Sequence, residues 1–282
     1  MRERDLFYLM RRGGGSGGSG GSGGEGGGAD ELTASYISIL DGTAVNPVLP
    51  EGLTKIKDNC FTANGQIVSP VLPTSLVEIG NNAFKNCTNL ALTSLPSGLT
   101  KIGSYSFQYC SKLALTSLPE SLTELPQSTF DGCSKLALTS LPEGLTSIGY
   151  SVFKDCVLLA LTSLPDGITS IGNYVFSGCR NLTLTSLPSG VTSIGGSAFI
   201  NCVNLSLTSI PAGVTSIGSQ AFRCCRKLNS LTFNGTPTSI SSDAFSDCTN
   251  LTTINVPWAE GEVANAPWGA TNATINYNYT EG

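Results

Sequence analysis

The chain has 282 residues and a net charge of −5, its charged residues make up only 12% of the total, and it contains no histidine. An acidic chain with few lysines and arginines does not suit nucleic-acid binding, which needs a basic surface to neutralise phosphates. Without histidine the usual general base and the commonest metal ligand are missing, so we expect no catalytic residues, no metal site and no other cofactor.

Residues 1–12 combine four arginines with two acidic residues around the apolar run Leu6–Met10. This run is shorter than the core of a secretory signal, which has roughly 7–15 residues, so no recognisable signal peptide is predicted and the export route stays open. The segment is either a frayed start or a short peptide that docks into a larger assembly. Residues 13–28 hold only glycine, serine and one glutamate, which predicts a flexible linker. No apolar run in the sequence reaches the roughly 18 residues of a transmembrane helix.

In the remaining chain, residues 29–282, both ends differ from the repeated sequence that lies between them. Residues 29–48 include an apolar, β-leaning stretch that is out of register with the later sequence. Residues 257–282 carry Trp258, Trp268 and an alternating polar–apolar segment. Because a repeat array needs atypical terminal units to cover its open ends, we predict an N-terminal cap over 29–48 and a C-terminal cap over 257–282.

A 23-residue repeat fills residues 49–256. Phenylalanine marks it at a constant step, at Phe61, Phe84, Phe107, Phe130, Phe153, Phe176, Phe199, Phe222 and Phe245. A cysteine follows three residues later in eight of these nine units, and Ile or Leu stands five residues before. A fixed period of about 20–29 residues with recurring leucines is the signature of a solenoid, in which each coil buries its apolar residues against its neighbours.

Each unit contains two short extended segments, Leu-Thr-Ser-Leu-Pro and a second one that ends in Ile-Gly. We expect the glycine to form a backbone corner with positive φ, at Gly80, Gly103, Gly149, Gly172, Gly195 and Gly218. In-register stacking would place Lys55, Glu78, Lys101 and Glu124 side by side with alternating charge, which disfavours a slipped register.

The cysteines of the repeat form one column, so neighbouring side chains run parallel and do not point at each other as a disulfide requires. We predict buried free thiols that act as small apolar core residues. Cys224 falls outside the column in a surface slot, and it is the thiol that we expect to react.

The coil Leu-Pro-x-Gly-Leu-Thr-x-Ile-Gly-x-x-x-Phe-x-x-Cys-x-x-Leu resembles the BspA-like leucine-rich repeat family of bacterial surface proteins. The resemblance implies a right-handed solenoid of short parallel strands with little helix, no cofactor, and a role in adhesion or protein recognition. The chain termini also resemble those of gut-phage structural proteins.

The six middle coils depart from the family pattern, because one apolar residue of the first extended segment has moved by one position. Either the strand carries a bulge, or the shifted leucines form an outward-facing ladder, which would be an aggregation hazard. These leucines are Leu92, Leu115, Leu138, Leu161, Leu184 and Leu207.

Candidate contact residues are those that break a repeated slot. Tyr105, Tyr109, Tyr150 and Tyr174 stand where other coils have small or polar residues. They either contact a protein or glycan partner or fill gaps between coils. The basic cluster Arg223, Arg226 and Lys227 either meets an acidic partner or forms a solvated turn.

The sequence therefore predicts a non-enzymatic recognition scaffold that binds protein or glycan at a cell surface. The alternative is a phage virion component, tail-associated or receptor-binding, in which residues 1–12 anchor the solenoid to other virion proteins. The corresponding locations are the extracellular surface and the virion.

Overall fold

The computed structural model describes residues 31–32 and 46–280. The predicted N-terminal peptide, the linker and most of the N-terminal cap lie outside these residues. The described chain is a parallel β-solenoid of about ten turns, as the repeat predicts. Residues 31–32 and 46–280 contain short strands and turns but no helix.

Most strands are only two residues long, because each coil is extended only briefly between its turns. In chain order they are β1 Glu31–Leu32, β2 Lys55–Ile56, β3 Glu78–Ile79, β4 Lys101–Ile102, β5 Glu124–Leu125, β6 Ser147–Ile148, β7 Ser170–Ile171, β8 Ser193–Ile194, β9 Ser209–Ile210, β10 Ser216–Ile217, β11 Ser230–Phe233, β12 Ser239–Ile240, β13 Thr253–Asn255 and β14 Thr274–Asn276.

The strands stack in two columns. In the first column the pairing order is β1-β2-β3-β4, then β5-β6, then β7-β8-β10-β12, and all the pairs are parallel. The second column holds β9-β11-β13-β14 near the C-terminal end. Paired residues along the first column from β2 onward are 23 apart in sequence, as Glu78 and Lys101 are, so one coil stacks in register on the next.

The predicted charge ladder exists on the first part of this column. Glu78 Oε1 lies 3.2 Å from Lys55 Nζ and 3.3 Å from Lys101 Nζ. The fourth member does not join, since no ion pair connects Lys101 to Glu124 in the described part of the chain. The sheet itself is interrupted there, between β4 and β5.

Pro126 explains this interruption. In most coils the residue after the strand isoleucine donates its N–H to the backbone carbonyl of the corresponding isoleucine or leucine in the preceding coil. Gly103, for example, donates to the carbonyl of Ile79 at 2.7 Å. Pro126 occupies this slot after β5 and has no N–H to donate to Ile102. The ladder therefore loses a bond where β4 and β5 would pair.

The prediction that the glycines after isoleucine have positive φ is wrong. None of the six is among the glycines with positive φ, which include Gly132 and Gly178. The physical reason is close approach between coils. A Cβ on Gly218 would meet the backbone nitrogen of Gly196 at 2.5 Å, and one on Gly103 would meet that of Asn81 at the same distance. At five of the six positions a side chain would collide with the preceding coil, whereas a Cβ on Gly172 would meet only Val175 Cγ2, at 3.6 Å.

The core runs along the axis as a stack of phenylalanine rings. All nine are buried, and neighbouring rings are nearly parallel, with centroids 4.9 Å apart at the N-terminal end and 6.0 Å apart between Phe130 and Phe153. Offset-stacked rings at such distances add to the stabilisation from burial.

All ten cysteines are free thiols, as predicted for the column, and nine of them are buried. Burial raises the pKa of Cys60, Cys87 and Cys248 to about 12. Their role is not only apolar packing. In every repeat from Cys87 to Cys248 the thiol donates to the phenylalanine carbonyl of the preceding coil, with Sγ–O distances of 2.9–3.1 Å.

The shifted leucines of the middle coils all point inward and are at most 8% exposed, so the outward-facing ladder is excluded. The alternative of a bulged strand does not form in five of the six segments, which contain no strand. The sixth, which begins at Leu207, continues into β9. A strand places every second side chain on one face, whereas Leu92 and Leu95 are three positions apart. The segment therefore departs from the strand conformation, so that the side chains of Leu92 and Leu95 both lie on the core side.

The repeat extends into the predicted C-terminal cap. Trp268 stands 23 residues after Phe245 and accepts the backbone N–H of Phe245 at its carbonyl, at 2.9 Å. Its ring is fully buried and lies 6.3 Å from that of Trp258. Strand β14 pairs in parallel with β13. Residues 257–280 thus add one further coil, whose tryptophans replace the phenylalanine stack.

Candidate recognition surface

The slots that flank the phenylalanines from Phe61 to Phe222, and the slot that follows Phe245, hold the chain in a left-handed backbone conformation. One slot lies two residues before the ring and the other two residues after it. The first contains Asn59, Asn82, Tyr105, Ser128, Ser151, Tyr174, Ser197 and Gln220; the second contains Ala63, Asn86, Tyr109, Gly132, Asp155, Gly178, Asn201, Cys224 and Asp247. All of these residues have positive φ. Together the two slots turn the chain around the ring.

Three of the four predicted contact tyrosines occupy these left-handed slots. The φ angles are 59° at Tyr105, 61° at Tyr109 and 58° at Tyr174. Asparagine, aspartate and glycine tolerate this conformation well, whereas a bulky side chain there is uncommon and strained, at about 1–3 kcal/mol. The conformation therefore gives no reason for tyrosine at these positions.

Tyr105 and Tyr109 flank the same ring, Phe107. Tyr105 is half-buried, and Lys85 Nζ lies 5.0 Å from its ring centroid, in a cation–π contact. Tyr109 is 45% exposed, and its ring lies against the next coil where Gly132 has no side chain. One face of this coil therefore presents an aromatic ring to solvent.

Tyr150 and Tyr174 form a second aromatic pair further along the axis. Their ring centroids are 5.5 Å apart with the rings edge to face, and the side chains are 45% and 38% exposed. In the slot of Tyr150, other coils use an amide oxygen to accept a backbone N–H from the next coil, as Asn173 does from Gly196 at 2.7 Å. The tyrosines pack on each other and remain open to solvent. Their contact with a partner stays a prediction.

Two polar residues beside Tyr109 were not identified from the sequence. Gln108 and Asp131 are 7% and 4% exposed, and Gln108 Nε2 donates to Asp131 Oδ2 at 2.8 Å. Burial raises the pKa of Asp131, while the hydrogen bond from Gln108 opposes that shift. The slot after phenylalanine is polar in most coils, so the sequence pattern alone did not distinguish this pair.

The predicted basic cluster is partly neutralised within the chain. Arg223 Nε lies 2.9 Å from Asp247 Oδ2, and this hydrogen bond raises the pKa of Arg223. Arg226 and Lys227 are exposed on the following turn. Cys224 is partly exposed, unlike the other nine thiols. An acidic partner for this cluster stays a prediction.

Within residues 31–32 and 46–280 no three histidine, cysteine or acidic side chains come together in a group that could hold a metal ion. The same part of the chain has no helix long and apolar enough to cross a membrane.

The comparisons with known proteins agree with the repeat geometry. The family model for a BspA type leucine rich repeat region matches six copies over residues 54–182 and 159–265. The chain belongs to the BspA-type leucine-rich repeat family. No curated protein matches its sequence.

Solved structures with similar BspA-type or other leucine-rich coils come from several bacteria. The leucine-rich repeat protein of T. pallidum is 31% identical with a TM-score of 0.50, and the match covers 57% of this chain and 78% of that one. The pneumococcal vaccine antigen PcpA is 20% identical with a TM-score of 0.53, over 83% of this chain and 67% of that one, which shows the fold alone. A leucine-rich cell surface protein of Faecalibacterium prausnitzii is 24% identical with a TM-score of 0.40, over 84% and 88%.

Proposed function

We propose that this BspA-type protein is a non-enzymatic recognition module that acts at a bacterial cell surface and contacts its partner through a tyrosine face. This face comprises Tyr105, Tyr109, Tyr150 and Tyr174. The surface setting is carried over from the family resemblance. The observation that supports the recognition role is the placement of three tyrosines in left-handed slots where asparagine or glycine would be less strained.

Aromatic side chains on a rigid scaffold suit recognition, because they bury a large area and lose little conformational entropy on binding. The tyrosines lie on three of four consecutive coils, whose backbones are tied together by hydrogen bonds such as that from Tyr109 N to Asp131 O at 2.7 Å. Residues held in strained conformations at an exposed surface are a reasonable starting point for a functional hypothesis.

The chain itself offers substitutions that separate binding from folding. Each tyrosine can be replaced by asparagine, which already occupies the same slot in other coils, as at Asn82, Asn86 and Asn173. The fourfold Tyr→Asn variant of the full chain should keep or slightly raise the melting temperature and lose adhesion to cells and to immobilised partners. Tyr279→Asn is the matched control, since Tyr279 is also exposed but lies in the last coil.

Undiminished binding by the fourfold variant would contradict this proposal and favour a spacer role for the solenoid. The virion alternative depends on residues 1–28, which lie outside the described residues, and none of the structures named above is described as a virion protein. It stays a prediction, tested by asking whether deletion of residues 1–28 releases the solenoid from a particle.

A further inference from the structure

Three buried polar atoms without a hydrogen-bond partner lie on two neighbouring coils, two of them on one coil and the third on the next. They are Ser106 Oγ, Gln108 Oε1 and Asp131 Oδ1, and the described residues contain one other such side-chain atom, the indole nitrogen of Trp258. Buried polar groups are nearly always paired, so a cluster of unpaired ones calls for an explanation.

Gln108 and Asp131 satisfy each other only in part. Their one mutual bond uses the amide nitrogen and one carboxylate oxygen, which leaves one acceptor oxygen on each side chain. Asp131 is also the only charged side chain that is buried in the described part of the chain. A carboxylate in such a place destabilises the fold unless something else donates to it. These two unpaired atoms are acceptors, so the partner that they lack must carry donors, whereas the third, Ser106 Oγ, belongs to a hydroxyl that can donate or accept.

Tyr109 connects this pair to the tyrosine face. It directly follows Gln108 in sequence, and its ring rests on Gly132, which directly follows Asp131. A side chain at Gly132 would collide with that ring. Tyr109 is 45% exposed, whereas the two acceptors are buried, so a ligand on the ring reaches them only if the ring moves off Gly132.

The charges around the pair cancel. The ionisable groups that act on Asp131 are Lys85 and Lys154, which favour its ionised form, and Asp155, which disfavours it. Two cations and two carboxylates give no net local charge, so neither a basic nor an acidic partner is attracted here. What the surface offers is an exposed aromatic ring face, and the two buried acceptors belong to the residues that precede Tyr109 and Gly132.

We propose that Tyr109, Gln108 and Asp131 form a subsite for a neutral carbohydrate, whose ring stacks on Tyr109 and whose hydroxyl groups donate to the two unpaired acceptors. A sugar hydroxyl supplies the donor that each oxygen lacks and brings no charge to a locally neutral site. This proposal rests on the tyrosine face proposed above and specifies the class of its ligand.

The test uses the full chain on an array of neutral, sialylated and sulfated oligosaccharides, followed by titration calorimetry with the neutral glycan that is retained best. Asp131→Ser and Gln108→Ser introduce the residue found in this slot at Ser177. Each should weaken binding at least about tenfold. Asp131→Ser should leave the melting temperature unchanged or raise it, whereas Gln108→Ser removes the amide that donates to the buried carboxylate and should lower it. Asp166→Ser, at an exposed turn, is the control and should bind as the parent does.

Asp131→Asn preserves the shape of the side chain, so it replaces Asp131→Ser if the latter fails to fold, and it should weaken binding severalfold. Full binding by either folded Asp131 variant would overturn the subsite. So would selective retention of sialylated or sulfated glycans. If the chain binds cells or proteins through its tyrosines but no glycan at all, the carbohydrate subsite is wrong and the recognition function stands. If the fourfold tyrosine variant binds as the parent does, the recognition function itself fails.

Discussion

The middle coils of the solenoid are less regular than the coils at its two ends. Ring centroids are 4.9 Å apart for Phe61 and Phe84 and 5.1 Å apart for Phe222 and Phe245, but 6.0 Å apart for Phe130 and Phe153. The first strand column is interrupted twice, between β4 and β5 and between β6 and β7. Both interruptions lie in this wider region.

Substitutions in the repeat accompany these interruptions. Pro126 removes an N–H beside the first, and Tyr150 replaces an amide acceptor beside the second. The candidate tyrosines and the Gln108–Asp131 pair also lie in these coils. The end coils thus keep close rings and continuous strand pairing, whereas the middle coils lose both where their surface becomes distinctive.

The largest effect should come from removing a ring of the stack. Phe222→Ala should cost about 3–5 kcal/mol of unfolding free energy, and Phe130→Ala should cost less, because its neighbouring rings lie further away. Urea unfolding of the two variants measures the difference. An equal or larger loss at Phe130 would show that the wider spacing does not reflect looser packing.

Glycine-to-alanine substitutions compare how closely neighbouring coils approach each other in the end region and in the middle region. Gly218→Ala should destabilise by about 1–3 kcal/mol, because its Cβ would collide with the backbone at Gly196. Gly172→Ala, at the second interruption, meets only Val175 Cγ2 at 3.6 Å and should be neutral or stabilising by up to about 1 kcal/mol. Thermal unfolding checks both. A similar loss at both positions would mean that the coils are equally close there.

Two substitutions with side chains of nearly equal size test the hydrogen bond that each column cysteine donates to a phenylalanine carbonyl. Cys156→Ser keeps a donor for the carbonyl of Phe130, and Cys156→Ala does not. We expect the serine variant to be more stable than the alanine variant by about 1 kcal/mol. That carbonyl also accepts the N–H of Cys133 at 3.0 Å, which keeps the difference modest. Serine proving the worse residue would mean that the thiols act only as apolar filling.

The smallest effect concerns pH. Burial raises the pKa of Asp131 above its ordinary value of 3.8, so the folded state holds this proton more tightly than the unfolded state. Stability due to this group is therefore highest near pH 3.8 and below, and it falls as the pH rises through the folded pKa. Asp131→Ser should be more stable than the parent at neutral pH and lose that advantage toward pH 3.8, which thermal unfolding across the pH range measures.

The exposed variant Asp166→Asn provides the control for this pH series, because it changes a carboxylate that is not among the groups acting on Asp131. A constant difference between Asp131→Ser and the parent across the range would argue that Asp131 is not strained by its burial.

The sequence was sufficient to predict the architecture, because the same spacing of core residues recurs in every coil. Nine phenylalanines and eight cysteines at one spacing specify the stacked core, and the alternating charges on Lys55, Glu78 and Lys101 agree with the register. The role of the glycines was misjudged, since close approach between coils and positive φ both favour glycine. Distances between coils decide between the two, and a sequence does not contain them.

The surface was only partly predictable. Recurring Asn, Gly and Asp in the slot of Asn86, Gly132 and Asp155 is a signal for left-handed backbone, and it would have marked Tyr109 as strained. The Gln108–Asp131 pair gave no comparable signal, because polar residues are usual in that slot. Only burial distinguishes it from its counterparts.

The interruptions of the strand column also bear on how the molecule responds to force. In the adhesive role proposed above, the molecule would be pulled at the cell surface, and its first strand column is unpaired between β4 and β5 and between β6 and β7. Under tension along the axis, we expect these two junctions to part before the end coils unfold. The middle coils would then separate at lower force than the end coils, and stretching would disturb the tyrosine face before it unfolds the ends of the molecule.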